Sequence, residues 1–425
     1  MSGGVRACCL WIAPAFSLAA EDRFLFRVNT PAEMIAELDL RSPGADWSVP
    51  GREAAVATVT LDGSRTQHVM LFAGPALRTY SVFLGRTPPG EHSIAITRNA
   101  EHSAPGARLE VDGVRFVAVT ADHPNYAAVA NAPVLFARGN TMGKFSDVPL
   151  LTYCERLQEN GQELLQYTVI FSNEDGGTST RALMARWGRT TDIEYLYKAY
   201  LGPDQKTIRA TMQTRDHAEV EFRGRRESGH PLLMPVTNNN MVADEGESPI
   251  RYQLAPVVVD LTARAREQVM DDHPVTYEVM VKELEREGKL RGFGTVEGEK
   301  ISHPRNYLFV EYEAININAA VAVQVRLQGE TRWHSSNLGR LDYVIGRAGR
   351  VRTTVELPPG TQIGQVAEIG FECLATAQTG VCELKLGTSM FLLNEHLWPG
   401  LPVRLTAPAA RIAAGETERI SVPQK

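Results

Sequence analysis

Two carboxylates separated by one residue, Asp192 and Glu194, have the spacing that could support chemistry. In a β-strand, alternate side chains leave the same face about 7 Å apart, so these two would project together. Such a pair can share a divalent cation, or can serve as acid and base if the surroundings separate the two pKa values. With His230 as a third member, we predict a catalytic site or a site for calcium or magnesium formed by Asp192, Glu194 and His230.

Further polar residues near these three could bind a ligand. Arg189 precedes the acidic pair, and Asn239 and Asn240 belong to an asparagine run in a polar loop after His230. The segment "SNEDGGT" at 172–178 forms another oxygen-rich turn. We predict binding roles for Arg189, Asn239 and Asn240. The alternative stays open that these residues are turn formers, because Asn, Asp and Gly are common in turns.

The acidic pair must be positioned by a strand or by the start of a helix. The letters "TDIE" fit a capping box, with Thr191 as the cap and Glu194 three residues later. The strand is favoured because "TVIFSN" before it and "TIRATMQT" after it are typical of strands, and "GPDQK" is a suitable hairpin turn. In that strand Ile193, Tyr195 and Tyr197 would share one face, opposite Asp192 and Glu194.

The chain as a whole is predicted to be mostly β and multi-domain. Its 425 residues exceed one ordinary domain of about 100–200 residues, and short alternating apolar runs recur between Gly and Pro turns. We predict a β-sandwich at 21–120, a β-rich middle domain at 121–300 that carries the candidate site, a second sandwich at 301–405 and a flexible tail at 406–425. In the first sandwich, "RTPPGE" is predicted to join two strands as a hairpin.

One helix stands out, in "DDHPVTYEVMVKELEREGKLRG". Tyr277, Val281 and Leu284 recur at helical spacing, Asp271 or Asp272 could cap the amino end, and Gly288 could stop the helix.

The amino terminus is typical of an export signal. Residues 1–20 contain a basic start, an apolar run and small residues before "EDRF", which predicts a cleaved signal peptide. Cys8 and Cys9 would leave with it. Of the remaining cysteines, Cys373 and Cys382 flank a short polar loop between two predicted strands, so we predict a disulfide between them. Cys154 would be a buried free thiol.

Net charge and the distribution of apolar residues disfavour some classes of function. A net charge of −6 and a pI near 6.0 disfavour nucleic acid as a partner. The mature chain has no apolar run of the ~20 residues that cross a bilayer. We therefore expect a secreted protein, extracellular or periplasmic, that binds or acts on a polysaccharide or a cell-surface glycan through the middle domain. The alternative is a non-catalytic envelope or surface protein.

Overall fold

A computed structural model describes residues 22–174 and 176–423 of the chain. The predicted signal peptide, with Cys8 and Cys9, lies outside the described residues, and so does Asp175. The predicted class is confirmed, because the described residues are mostly β and form several sheets with four α-helices among them. None of these helices has both the length and the apolar character needed to cross a membrane.

The first region is built from two sheets that share one core. Its strands are β1 (Asp22–Val28), β2 (Ala32–Arg41), β3 (Val56–Leu61), β4 (Arg65–Met70), β5 (Arg78–Thr87), β6 (Gly90–Arg98) and β7 (Glu110–Val119). They are ordered β1-β6-β3-β4 in one sheet and β5-β2-β7 in the other. The predicted "RTPPGE" hairpin is wrong, because β5 and β6 belong to different sheets and the turn carries the chain from one to the other.

The middle region combines a six-stranded sheet, a smaller sheet and the four helices. Its elements are α1 (Tyr126–Ala130), β8 (Val134–Phe136), β9 (Pro149–Glu159), β10 (Gln162–Phe171), α2 (Thr180–Trp187), β11 (Asp192–Leu201), β12 (Thr207–Gln213), β13 (Glu219–Glu221), β14 (Arg226–Glu227), β15 (His230–Pro235), β16 (Val242–Ala243), β17 (Arg251–Tyr252), β18 (Val257–Val259), α3 (Gln268–Asp272) and α4 (Val275–Arg286). The large sheet has the order β13-β12-β11-β10-β9-β18. The small sheet has the order β14-β15-β8-β17, with β16 beside β15.

Helix α4 is the helix that the apolar spacing predicts, and Tyr277, Val281 and Leu284 are buried as that spacing requires. The predicted cap is wrong. Pro274 occupies the cap position without a side-chain hydrogen bond, and both aspartates lie in the preceding helix α3. There the carboxylate of Asp271 accepts hydrogen bonds from the guanidinium of Arg352, at 2.9 and 2.6 Å. The aspartate is thus committed to an ion pair with the carboxyl-terminal region.

The third region again contains two sheets around a common core. Its strands are β19 (Tyr307–Ile317), β20 (Ala319–Leu327), β21 (Trp333–Ser335), β22 (Gly349–Glu356), β23 (Val366–Ala375), β24 (Val381–Phe391), β25 (Val403–Leu405), β26 (Ala410–Ala413) and β27 (Thr417–Ser421). One sheet has the order β22-β19-β24-β25, with β26 beside β24, and the other has the order β21-β20-β23-β27. The segment that we expected to be a flexible tail therefore supplies one strand to each sheet.

The predicted disulfide between Cys373 and Cys382 is confirmed, with 5.8 Å between the two Cα atoms. Its setting differs from the predicted hairpin, because Cys373 lies in β23 and Cys382 in β24, which belong to opposite sheets. The bond therefore links the two layers. Cys154 is a buried free thiol, as predicted.

The apolar cores extend across both of the expected domain boundaries. Tyr252 of β17 and Val279 of α4 belong to the core of the first sandwich. Ile193 of β11 shares a core with Phe309 and Phe391 of the second sandwich. The three regions therefore pack as neighbours with common cores, and the exact boundaries stay a prediction.

Candidate functional site

The candidate site lies where helix α2 leads into strand β11. Ser179 caps α2 by accepting a hydrogen bond from the backbone N–H of Ala182 at 3.3 Å. Gly188 ends the helix in the left-handed conformation, with φ of 65°. A Cβ atom at this glycine would lie 2.9 Å from the methyl carbon of Thr354, so α2 sits directly against the second sandwich. This close contact holds the carboxyl end of α2 against β22.

Strand β11 confirms the extended interpretation of "TDIE" and excludes the capping box. It pairs with β10 on one side and β12 on the other, and a tight turn at 202–206 joins it to β12 as the sequence predicts. The predicted alternation holds only for the first residues. Leu196 is a bulge, since Tyr195 and Tyr197 pair with the consecutive residues Thr168 and Tyr167. The bulge explains why Ile193 and Tyr197 pack in different cores.

Asp192 and Glu194 are neighbours, as the strand spacing predicts. Asp192 is only 1% exposed and accepts a hydrogen bond from the amide of Asn240 at 3.0 Å. Burial, and then the charge of Glu194, raise the pKa of Asp192 above its ordinary value, and Arg189 opposes the rise only in part. Glu194 is half-buried, and burial raises its pKa although Arg266 and Arg189 oppose the rise. The charge of Glu194 therefore disfavours ionisation of Asp192.

A third carboxylate, Glu174, joins the pair from the loop between β10 and α2. Burial, followed by the charge of Asp192, raises the pKa of Glu174 to about 7. The backbone N–H of Thr178 donates a hydrogen bond to Glu174 at 3.2 Å. Gly176 brings this loop against Asn238, because a Cβ atom there would lie 2.7 Å from the Asn238 Cβ atom. The "SNEDGGT" turn and the asparagine run thus meet beside the acidic pair.

Two guanidinium groups lie among these carboxylates. Arg189 is buried and is held by the backbone oxygen of Thr191. Arg266 donates a hydrogen bond to the backbone oxygen of Ile193 at 2.9 Å. Their positive charges account for the partial lowering of the carboxylate pKa values described above. Arg189 was predicted from the sequence as a binding residue, and it lies at the site.

Arg189 and Arg266 are themselves anchored by Glu267. The Glu267 carboxylate lies 3.3 Å from Arg266, 3.5 Å from Arg347 and 3.8 Å from Arg189. Burial would raise the pKa of Glu267, but Arg266 and Arg347 outweigh burial and lower it. The sequence prediction missed Arg266 and Glu267, because they are more than 70 residues away along the chain and no local pattern connects them with β11.

The remaining predicted site residues lie elsewhere. The ring nitrogens of His230 contact the backbone oxygen of Ala132 at 2.9 Å and the carboxylate of Glu33 at 3.2 Å. The amide of Asn239 contacts His217 at 3.2 Å. His230 faces away because it begins β15 in the small sheet, where its ring stacks on Phe83. Of the predicted partners of the acidic pair, Arg189 and Asn240 are therefore in place.

The predicted cation site does not fit these residues. His230 lies apart from Asp192 and Glu194, and within 22–174 and 176–423 no three His, Cys, Asp or Glu side chains form a group that could hold a metal ion. Two arginines already face the carboxylates. We therefore derive no chemistry from a bound cation.

The fold and the site together define a mostly β protein with a buried ionic centre in its middle sheet. We call Glu174, Asp192, Glu194, Arg189 and Arg266 the carboxylate centre. No protein-family model matches the chain, and no curated protein is similar to it in sequence.

Proposed function

We propose that the protein is an exported carbohydrate-active protein that hydrolyses glycosidic bonds of a polysaccharide at the carboxylate centre. The observation that carries the proposal is a set of three carboxyls whose charges raise one another's pKa values, two of which, Glu174 and Glu194, are half-buried rather than buried. Strongly perturbed carboxyl groups in such arrangements are typical of acid–base sites.

Burial raises the pKa of both half-buried carboxyls, and the positive charges that oppose the rise are Arg189 at Glu174 and both Arg266 and Arg189 at Glu194. Burial raises the pKa of Glu174 to about 7, which favours the protonated carboxyl that a general acid requires. For Glu194, Arg266 is the largest influence opposing the rise, and it stabilises the ionised form. Glu174 is thus suited to be the general acid and Glu194 the general base.

Hydrolysis would use these roles in one step. Glu174 donates its proton to the glycosidic oxygen as the bond from that oxygen to the anomeric carbon breaks. Glu194 accepts a proton from the water whose oxygen bonds to the anomeric carbon. Asp192, held by Asn240 and almost fully buried, acts as a positioning residue whose charge state adjusts its two neighbours.

A second function is favoured by the burial of Asp192. A carboxylate that is 1% exposed and hydrogen-bonded to an amide is also what a purely structural ionic centre contains. In that case the protein is a non-catalytic surface or envelope protein, and the carboxylate centre holds α2, β11 and α3 together.

Release of reducing ends from a polysaccharide panel tests the proposal. The secreted protein should release reducing ends from at least one neutral or acidic polysaccharide, and Glu194→Gln and Glu174→Gln should each lower the rate by roughly 100-fold or more. Glu247→Gln, at an exposed carboxylate that pairs with Arg225, is the matched control and should retain full activity.

The pH profile separates the catalytic role from a structural one. A protonated Glu174 and an ionised Glu194 require a bell-shaped rate curve, and Glu174→Gln should remove its alkaline limb. If the wild-type protein cleaves no polysaccharide in the panel and the Gln variants fold normally, the result supports the non-catalytic alternative.

A further inference from the structure

Two open clefts on the second sandwich lie on either side of one loop, residues 394–402, which we call the ridge. The first cleft has a volume of about 960 Å³ and is bordered by α3, β24 and β25. The second has a volume of about 670 Å³ and is bordered by the turn at 359–363. Asn394, Gly400 and Leu401 line both clefts, so the ridge is their common wall.

The ridge is held in one conformation by its own hydrogen bonds. The side-chain oxygen of Asn394 accepts hydrogen bonds from the backbone N–H groups of His396 at 2.9 Å and Trp398 at 3.0 Å. The backbone N–H of Asn394 donates to the Trp398 oxygen at 2.8 Å, and Gly400 donates to the Leu392 oxygen at 2.9 Å. A ligand that contacts the ridge therefore meets a preformed surface.

Large apolar side chains are exposed on this rigid loop. Leu401 is 92% exposed and Trp398 is 47% exposed. The indole nitrogen of Trp398 donates a hydrogen bond to Glu278 at 2.7 Å, which fixes the orientation of the ring. An indole that is fixed at one edge and partly open to solvent is a platform on which the apolar face of a sugar ring can stack.

Each cleft also contains an arginine that has no carboxylate partner among the described residues. In the first cleft Arg264, Arg350 and Arg352 all form ion pairs with acidic side chains. Among the described residues, Arg404 in the same cleft and Arg305 in the second cleft have neither an ion pair nor a side-chain hydrogen bond. A ligand that carries negative groups on both sides of the ridge would satisfy these two arginines.

We propose that the ridge binds an extended anionic polysaccharide, with a sugar ring on Trp398 and its carboxylate or sulfate groups on Arg404 and Arg305. A polymer fits because two clefts adjoin the ridge that carries Trp398. A negative polymer fits because, among the described residues, Arg404 and Arg305 have no acidic partner, whereas Glu395, which also lines the second cleft, lies 3.6 Å from His396. This binding site is separate from the carboxylate centre, and its existence does not depend on the proposed hydrolysis.

Isothermal titration calorimetry of the full secreted protein tests the proposal with three probes of matched length. They are oligogalacturonate for carboxylates, a sulfated glycosaminoglycan fragment for sulfates, and a neutral cello-oligosaccharide. At least one anionic probe should bind, and its affinity should fall with added salt and exceed that of the neutral probe. Trp398→Ala and the double variant Arg305→Gln/Arg404→Gln should each weaken binding roughly tenfold or more.

Two further variants keep the result interpretable. Leu25→Ala removes an exposed leucine, 74% exposed, from the first sandwich and should leave binding unchanged. Glu247→Gln should also leave binding unchanged, and release of reducing ends is measured separately, so loss of hydrolysis and loss of binding are distinguishable. The proposal is overturned if neither anionic probe binds, or if the ridge variants bind as well as the wild-type protein while their melting temperatures are unaltered.

Discussion

Replacing Glu174 by Gln should make the protein more stable at alkaline pH and leave it unchanged at acidic pH. Glutamine keeps the shape and the acceptor oxygen that receives the Thr178 hydrogen bond. It resembles the protonated carboxyl, which the surroundings of Glu174 favour because burial and the charge of Asp192 disfavour the ionised form.

The magnitude follows from the pKa of Glu174. A rise from 4.5 to about 7 on folding corresponds to about 3 kcal/mol in favour of the protonated form. Because the side chain is half-buried, solvent screening reduces the expected effect to about 2 kcal/mol. The folded state binds the proton more tightly than the unfolded state, so this contribution is present below pH 4.5 and is lost as the pH rises towards 7.

Urea unfolding followed by tryptophan fluorescence at pH 5, 6, 7 and 8 measures the effect. The free energy of unfolding of Glu174→Gln minus that of the wild-type protein should grow from about 0.5 kcal/mol at pH 5 to about 2 kcal/mol at pH 8. The exposed control Glu247→Gln should show a difference that is flat with pH. A difference for Glu174→Gln that is constant with pH, or a variant that is less stable at pH 8, would refute the reasoning.

Two other predictions concern the packing of the chain. Gly188→Ala should lower the free energy of unfolding by about 1–2 kcal/mol in urea denaturation, because the left-handed backbone disfavours a Cβ atom and the methyl group of Thr354 blocks it. The control Gly329→Ala, with φ of 73° and no atom within 4 Å, should lower the free energy of unfolding by less. Equal losses would show that the contact is unimportant. Cys154 should react with a thiol reagent only after unfolding, because burial raises its pKa to about 12, and peptide mapping without reductant should recover Cys373 linked to Cys382. Labelling of native Cys154 would contradict this assignment.

Strands, turns and helices could be predicted from the sequence where their signal lies within a few consecutive residues. The strand at Asp192, the turn after Leu201 and helix α4 follow from alternation, turn residues and helical spacing within a few residues. The proline turn after Thr87 was misassigned because a turn between two consecutive strands looks the same whether they pair or change sheets. Strands β26 and β27 were missed because they contain few apolar residues. Backbone hydrogen bonds to β24 and β23, rather than side-chain packing, hold them in place.

Only the part of the candidate site that depends on local spacing could be predicted from the sequence. Asp192 and Glu194 are neighbours by strand spacing, but the partners that set their charge come from distant segments. Arg266 precedes α3, and nothing in its own neighbourhood indicates a contact with β11. His230 is polar and close to the asparagine run in sequence, yet the start of β15 directs it towards Glu33. Long-range placement depends on the packing of sheets, which single-sequence patterns do not encode.

The junction between the first sandwich and the middle region has a mechanical consequence. Phe83 donates a backbone hydrogen bond to Gln253 at 2.9 Å, and Ala255 donates one to Ser81 at 3.0 Å, so β5 pairs antiparallel with the segment that follows β17. Bending at this junction would break both bonds at once and would wet the buried rings of Phe83 and Tyr252. The junction therefore resists bending, and a force applied to one region is transmitted to the other.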